Sequence, residues 1–324
     1  MNKTIKDIGE RALLDMFEKL VDSGDLPFND DAVAFSIDDK RSLVVNIDTF
    51  VAKTDAPPQM TPYQMGSKSV TMAISDLVAK GIQPLHVVAS GAFPENFTVE
   101  QTLDLVKGIK ETTHSYNAKF LGGDTNAADD IIISVVALGL GQRENLILRS
   151  GGLKGDLICT TGKFGLTGAG FKVFLEDFSA TKKQKEKFRE AIYSPKARLN
   201  EGLIFSNFGK ITSCIDSSDG LAWCLNELLR NKEKLGIVIN ELPIDPLVID
   251  FASDNKLKAE ELALFGGEEF ELVFSLKPEN LISLEKEMEV HKIGKFTAEH
   301  KGKIMYKFDD VFKEITPKGW EHFT

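Results

Sequence analysis

Seven aspartates stand in or beside small-residue stretches of this chain: Asn29-Asp30-Asp31-Ala32, Ile47-Asp48-Thr49, Ile74-Ser75-Asp76, Gly122-Gly123-Asp124-Thr125 and Asp216-Ser217-Ser218-Asp219-Gly220. Most adjoin an expected strand end or turn, so their carboxylates can converge on one rim of a sheet. Converging carboxylates repel. Two charges about 4 Å apart cost about 4 kcal/mol at an effective dielectric of ~20. A hard cation removes that cost, and Mg²⁺ takes oxygen ligands of this kind. One such aspartate most often caps a turn; the set together points to a metal cradle.

Other residues suit phosphate. Gly122-Gly123 and the glycine-rich run 162–170 permit close backbone approach to an anion. The run is no Walker A loop, because Phe171 follows Gly170 where Lys-Ser/Thr is required. No His-Arg-Asp catalytic loop occurs either. Arg149, in Arg149-Ser150-Gly151-Gly152, can clamp a phosphate. Gly266-Gly267-Glu268-Glu269-Phe270 sets acids on a tight turn before a strand, and Gly319-Trp320-Glu321-His322-Phe323 brings an aromatic that can cover a flat or cationic ligand.

The elements that must position these residues follow from local pattern. Residues 1–20 read as an amphipathic helix. Strands are expected at 32–37, 43–47 and 85–89, and 55–62 as a loop. Thr61-Pro62 opens a helix that Gly81 stops. Thr98, with Gln101 three residues on, opens another. Strands 119–121 and 131–138 flank a turn at 122–125. The second half repeats the mixture, with strands at 157–161, 211–215, 237–239 and 271–274. Its helices are expected from 165–170 to about 177, over 182–189 and over 221–229. Glycines cluster over 139–155, so the domains are expected at 1–145 and 146–324. Two domains also suit the length of 324 residues. Strands alternating with helices in both halves indicate an α/β or α+β protein.

A formal net charge of -10 argues against nucleic-acid binding. Cys159, Cys214 and Cys224 form no CxxC pair and the five histidines are scattered, which excludes the usual zinc and disulfide patterns. The first residues do not form a signal peptide, and the longest apolar run, 131–141, is too short to span a bilayer. A cytoplasmic protein without a membrane partner is expected.

In order and spacing, these motifs resemble the thiamine-monophosphate kinases of the AIR-synthase-like superfamily. The resemblance runs from about residue 29 to the C-terminus, and Lys53-Thr54-Asp55-Ala56-Pro57-Pro58 is similar to the archaeal branch. It implies an AIR-synthase-like two-domain fold. The N-terminal α/β domain would join a partner's strands in the shared barrel of a homodimer, and the C-terminal domain would be α+β. It implies transfer of the ATP γ-phosphate to thiamine monophosphate, giving thiamine diphosphate and ADP. Asp30, Asp48, Asp76, Asp124, Asp216 and Asp219 would hold several Mg²⁺ ions, with Asp31 second to Asp30. Gly123, Asp124, Arg149 and Ser218 would contact ATP, and Asp55, Glu268 and Trp320 the thiamine. The acceptor phosphate is already ionised, so no catalytic base is expected; positioning and charge neutralisation suffice.

The chain departs from the family at Asn29, where Gly is usual, and at Asp55, where a substrate-binding His is usual. Asn46-Ile47 precedes Asp48 in place of a hydroxyl residue, and Glu269-Phe270 replaces Asp-Tyr. Selenophosphate synthetases carry an N-terminal Cys, whereas the first here is Cys159. Hydrogenase-maturation members end in Cys, and this chain ends in Thr324. AIR synthase itself is less favoured by the Arg149-Ser150-Gly151 and C-terminal motifs. A kinase for another phosphorylated acceptor is the enzymatic alternative, and a catalytically silent nucleotide-binding protein is the alternative of another class.

Overall fold

A computed structural model describes residues 3–308 and 311–318. The first half runs α1 (Ile5–Phe17), β1 (Val33–Ser36), β2 (Arg41–Val51), α2 (Ala52–Asp55), α3 (Pro62–Ala79), β3 (Pro84–Phe93), α4 (Val99–Ser115), β4 (Lys119–Ala127) and β5 (Ile132–Gln142). The second runs β6 (Leu157–Thr160), α5 (Leu166–Leu175), α6 (Lys182–Tyr193), α7 (Leu199–Phe208), β7 (Ile211–Asp216), α8 (Leu221–Leu229), β8 (Gly236–Ile239), α9 (Pro246–Asp254) and α10 (Ala259–Phe265). It closes with β9 (Leu272–Leu276), α11 (Leu281–Leu284), β10 (His291–Thr297), β11 (Ile304–Phe308) and β12 (Val311–Glu314). The halves build a five-stranded sheet, β1-β2-β5-β3-β4, and a seven-stranded one, β12-β11-β8-β10-β6-β9-β7. Pairs are antiparallel except β3–β4 and β8–β11.

Helix α3 lies between the two halves and organises the site. Thr61 accepts from the Gln64 N–H in a capping box, with Pro62 in the first turn, as the local pattern indicates. Val70, Ala73, Ile74 and Leu77 are buried beside Val44, Phe50, Ile133 and Val135 of the first sheet. Gly66 and Gly108 let α4 cross closely: a Cβ at either would meet a carbonyl oxygen at 2.1 Å. On its far side α3 packs on β7 and α7 of the second half.

Two expectations are corrected. Strand β2 extends well past residue 47, because its ladder with β5 continues to Val51↔Ile132; Asp48 is therefore an interior strand residue, not one at a strand end. Residues 122–125 form no turn. They belong to β4, which pairs with β3 across a register shift between Val87 and Ala89. Gly122 takes φ +114°, and a Cβ on Gly123 would lie 1.6 Å from the Ala89 carbonyl oxygen. The glycines serve a bulge and a close strand approach, which share their composition with a turn. Helix α1 is broken at Gly9 (φ 74°) and buries none of its residues.

Candidate active site

Three carboxylates from distant segments meet at the junction of the halves. Asp31 follows the turn at residues 28–29 ahead of β1, Asp76 sits in the last part of α3 and Asp216 ends β7; one oxygen of each lies within 4.8 Å of the others. Asp76 and Asp216 are held apart from solution behaviour by burial first and by like charge second. Asp216 is pushed up to about 7 by burial and by Asp31, against the hydrogen bond from Ser75. Asp76 rises well above the usual carboxylate range through burial and the neighbouring Asp216, Asp31 and Asp48. Without a cation, burial and like-charge repulsion both favour the protonated forms of this pair. Against its burial, Asp31 is held below the usual carboxylate range by Arg149 and Lys80; the repulsion left over falls on Asp76 and Asp216, and an all-oxygen donor set of this kind fits a hard divalent ion.

The cluster is oriented from behind. Ser75 Oγ donates to Asp216 at 2.6 Å. Asn46 Nδ2 donates to Asp76 at 2.6 Å and to the Ala73 carbonyl at 3.3 Å. The Asn46 amide thus fixes an aspartate of the cluster. Lys80, fully buried, reaches Asp30 at 2.5 Å, Asp31 at 2.7 Å and the Cys214 carbonyl at 3.0 Å. Asp30 also accepts from the Arg149 backbone N–H at 2.9 Å. The Arg149 guanidinium grips Asp31 through two nitrogens and the Asn29 carbonyl at 2.8 Å. Asp30 is thereby engaged by cation and backbone, and Asp31 joins the three-carboxylate cluster.

The remaining expected site residues lie outside this three-carboxylate cluster. Asp48 shares the inward face of β2 with Asn46 and Phe50 and adds to the charge felt by Asp76. Asp219 lies 3.4 Å from Arg11, which also pairs with Glu227 at 2.8 Å and stacks on Trp223 at 3.5 Å. Gly123 and Asp124 are exposed on the edge strand β4, Asp124 beside Ser90, and Asp124 is not one of the three clustered carboxylates. Ser218 is exposed, and its carbonyl accepts the Glu268 N–H at 2.6 Å. Asp55 ends α2 and accepts the Val51 N–H at 2.7 Å. Glu268 pairs with Lys68 at 2.5 Å. Trp320 lies outside the described residues. The run 162–170 receives the protein's own anion: Glu269 accepts from the Gly165 N–H at 2.6 Å and the Thr167 N–H at 3.3 Å.

Lys68, Lys80, Arg11 and Ser75 were not legible as site residues. Lys68 shares a helical face with Thr71 and Ser75, all buried, and that periodicity was the available signal.

Family models for AIR synthase related proteins match residues 29–141 (N-terminal domain) and 154–307 (C-terminal domain). A thiamine-monophosphate kinase of Nitrosopumilus maritimus is 33% identical over 88% of this chain and 90% of its own length. One of Pyrococcus horikoshii is 38% identical over 86% of each. The chain belongs to the AIR synthase related family, among the thiamine-monophosphate kinases. The fold agrees: AaThiL, solved as a complex with AMPPCP and TMP, superposes with a TM-score of 0.87 over 99% of both chains at 24% identity. The protein tt0281 of Thermus thermophilus does so at 0.84 and 32% identity, over 94% of this chain and 97% of its own. The two sheets with their flanking helices are this family's α/β architecture. Among the described residues no helix is long and apolar enough to cross a membrane.

Proposed function

We propose that the chain transfers the γ-phosphate of ATP to thiamine monophosphate, giving thiamine diphosphate and ADP. The observation that carries this is the meeting of Asp31, Asp76 and Asp216 at the junction of the halves, in a chain whose relatives bearing that name match nearly end to end. Asp31, Asp76 and Asp216 would hold Mg²⁺, and Asp30, Asp48, Asp124 and Asp219 are the further carboxylates proposed for it. Bound there, the ions neutralise phosphate oxygens and keep donor and acceptor in line. Ser75, Asn46, Lys80 and Arg149 hold the carboxylates in place before substrate arrives, so little reorganisation is left to the reaction. The acceptor phosphate brings its own ionised oxygen, and no side chain has to remove a proton. Gly123, Asp124, Arg149 and Ser218 are the residues we assign to ATP, Arg149 acting from its pairing with Asp31. Asp55, Glu268 and Trp320 belong to the thiamine, in a cytoplasmic reaction.

A homodimer belongs to this reading. The face of the first sheet away from α3 carries Val33, Phe35, Ile47 and Leu140, all exposed. A second copy covering that face makes the shared barrel.

Purified protein supplied with ATP, Mg²⁺ and thiamine monophosphate is expected to release thiamine diphosphate and ADP, separated by chromatography. The D216N variant is expected to lose about a hundredfold or more in kcat with an unchanged circular dichroism spectrum. Much faster turnover of a different phosphorylated acceptor would overturn the substrate assignment, and near-normal turnover by D216N would overturn the metal role.

A further inference from the structure

Lys68 is 1% exposed, in the middle of α3. Lysine is almost never fully buried unless paired, and here both partners lie on the acceptor side. Its ammonium meets Glu268 Oε1 at 2.5 Å and donates to the Asp55 carbonyl at 2.7 Å, 5.9 Å from the centre of the Phe50 ring. Glu268 is equally constrained. Its φ is +64°, a left-handed conformation that is uncommon outside glycine and costs of order 1–3 kcal/mol. Its N–H is pinned to Ser218, and the next paired residue, Phe270, to Ser217 at 2.9 Å. With Oε1 taken by Lys68, Oε2 is buried without a hydrogen-bond partner. A buried polar atom left unpaired costs about 1–3 kcal/mol, which an incoming N–H donor would recover.

We propose that Lys68 is a positioning and specificity-determining residue: its ammonium pairs with Glu268 Oε1 and aims the carboxylate, so that Oε2 accepts a hydrogen bond from the amino group of the acceptor's pyrimidine. This rests on the thiamine reading of the site. An ionised carboxylate only accepts, so it favours an amino group and repels a carbonyl oxygen. Burial and the neighbouring Asp55 push the Glu268 carboxyl up, and Lys68 is the group that opposes them. Without the ammonium the carboxyl loses the group that orients it and the charge that opposes its protonation, so its preference for an amino group weakens. Because Lys68 also holds the Asp55 carbonyl, this selection is tied to the first half as well as to the loop of the second.

The test is calorimetric binding of thiamine monophosphate and of its analogue with a carbonyl oxygen in place of the pyrimidine amine, with AMPPCP present. Wild type is expected to prefer the amine by about a hundredfold or more. The K68M variant is expected to fall below about tenfold, with AMPPCP affinity within about twofold of wild type, and K68R to regain part of the preference. An unchanged preference in K68M overturns the inference. So does equal loss of both pyrimidine ligands and AMPPCP in K68M and K68R, which marks a purely structural lysine. Should K68M not fold, E268Q decides: its amide accepts or donates, so the preference must collapse, and its retention overturns the inference. Wild type that binds neither pyrimidine overturns the thiamine reading itself.

Discussion

Lys80 supplies a fixed, buried positive charge to Asp30 and Asp31. Burial alone lowers the proton affinity of its ammonium, but Asp30 and Asp31 outweigh that and hold it charged far above the usual lysine range. Removing one partner from a buried ionic group costs about 3–5 kcal/mol, because the charges left behind stay buried. The K80M variant is therefore expected to melt about 10 °C below wild type in EDTA, and Mg²⁺ is expected to recover part of the loss by supplying charge to the same carboxylates. Equal melting temperatures in EDTA would show that Arg149 alone suffices for Asp30 and Asp31. Asp76 and Asp216 were singled out from the order of the acids along the chain, whereas Asp31, which the sequence ranks behind Asp30, is the third member of the cluster. The lysine was not legible: Lys80 precedes Gly81 at a helix end, where cations ordinarily sit in solvent against the helix dipole. Only the arrival of β7, more than a hundred residues later, buries it.

Glu269 shows the same separation of local from distant causes at the scale of an element. The glycine run before α5 reads as an anion-binding helix start, and it is one, but the anion comes from the loop entering β9. Burial pushes the Glu269 carboxyl up to about 7, against the N–H donors of Gly165 and Thr167. Its folded affinity for a proton exceeds the unfolded one, so between about pH 4.5 and 7 the folded state binds more protons. Stability from this group is fully present below that window and declines as pH rises through it. E269Q keeps the oxygen that accepts from Gly165 without the buried charge. The prediction is that E269Q melts higher than wild type at pH 8, with the difference vanishing near pH 4.5; a wild-type advantage at pH 8 would show that the carboxylate is stabilised as an anion. Helices α3 and α4 were legible to their first residue because Thr61-Gln64 and Thr98-Gln101 cap within one turn. Strand β4 was not, since the need for Gly122-Gly123 arises from β3 lying against it.

At the scale of the molecule, α3 covers one face of the first sheet and leaves the other bare. Strand pairing aligns Phe35 with Leu43 and Leu43 with Leu140, so the bare face carries a continuous apolar row across three strands. Phe35 is 51% exposed and Ile47 65%, and contiguous apolar surface of this kind marks an interaction site. Alternation within β2 forecasts which residues face α3, but a pattern of period two is silent on whether a second layer covers the opposite face. The row sits at one end of the sheet, away from the inward-facing Asn46 and Asp48, so its alteration tests assembly apart from metal binding. Light scattering with size-exclusion chromatography is expected to give the wild type twice the 35.8 kDa chain mass. The F35E/L140E variant places carboxylates on exposed positions of the single chain, so it is expected to fold with an unchanged circular dichroism spectrum and to run as a monomer. A variant that stays dimeric would move the interface to another surface, and a wild type that runs as a monomer would remove the shared barrel from the proposal while leaving the aspartate cluster intact.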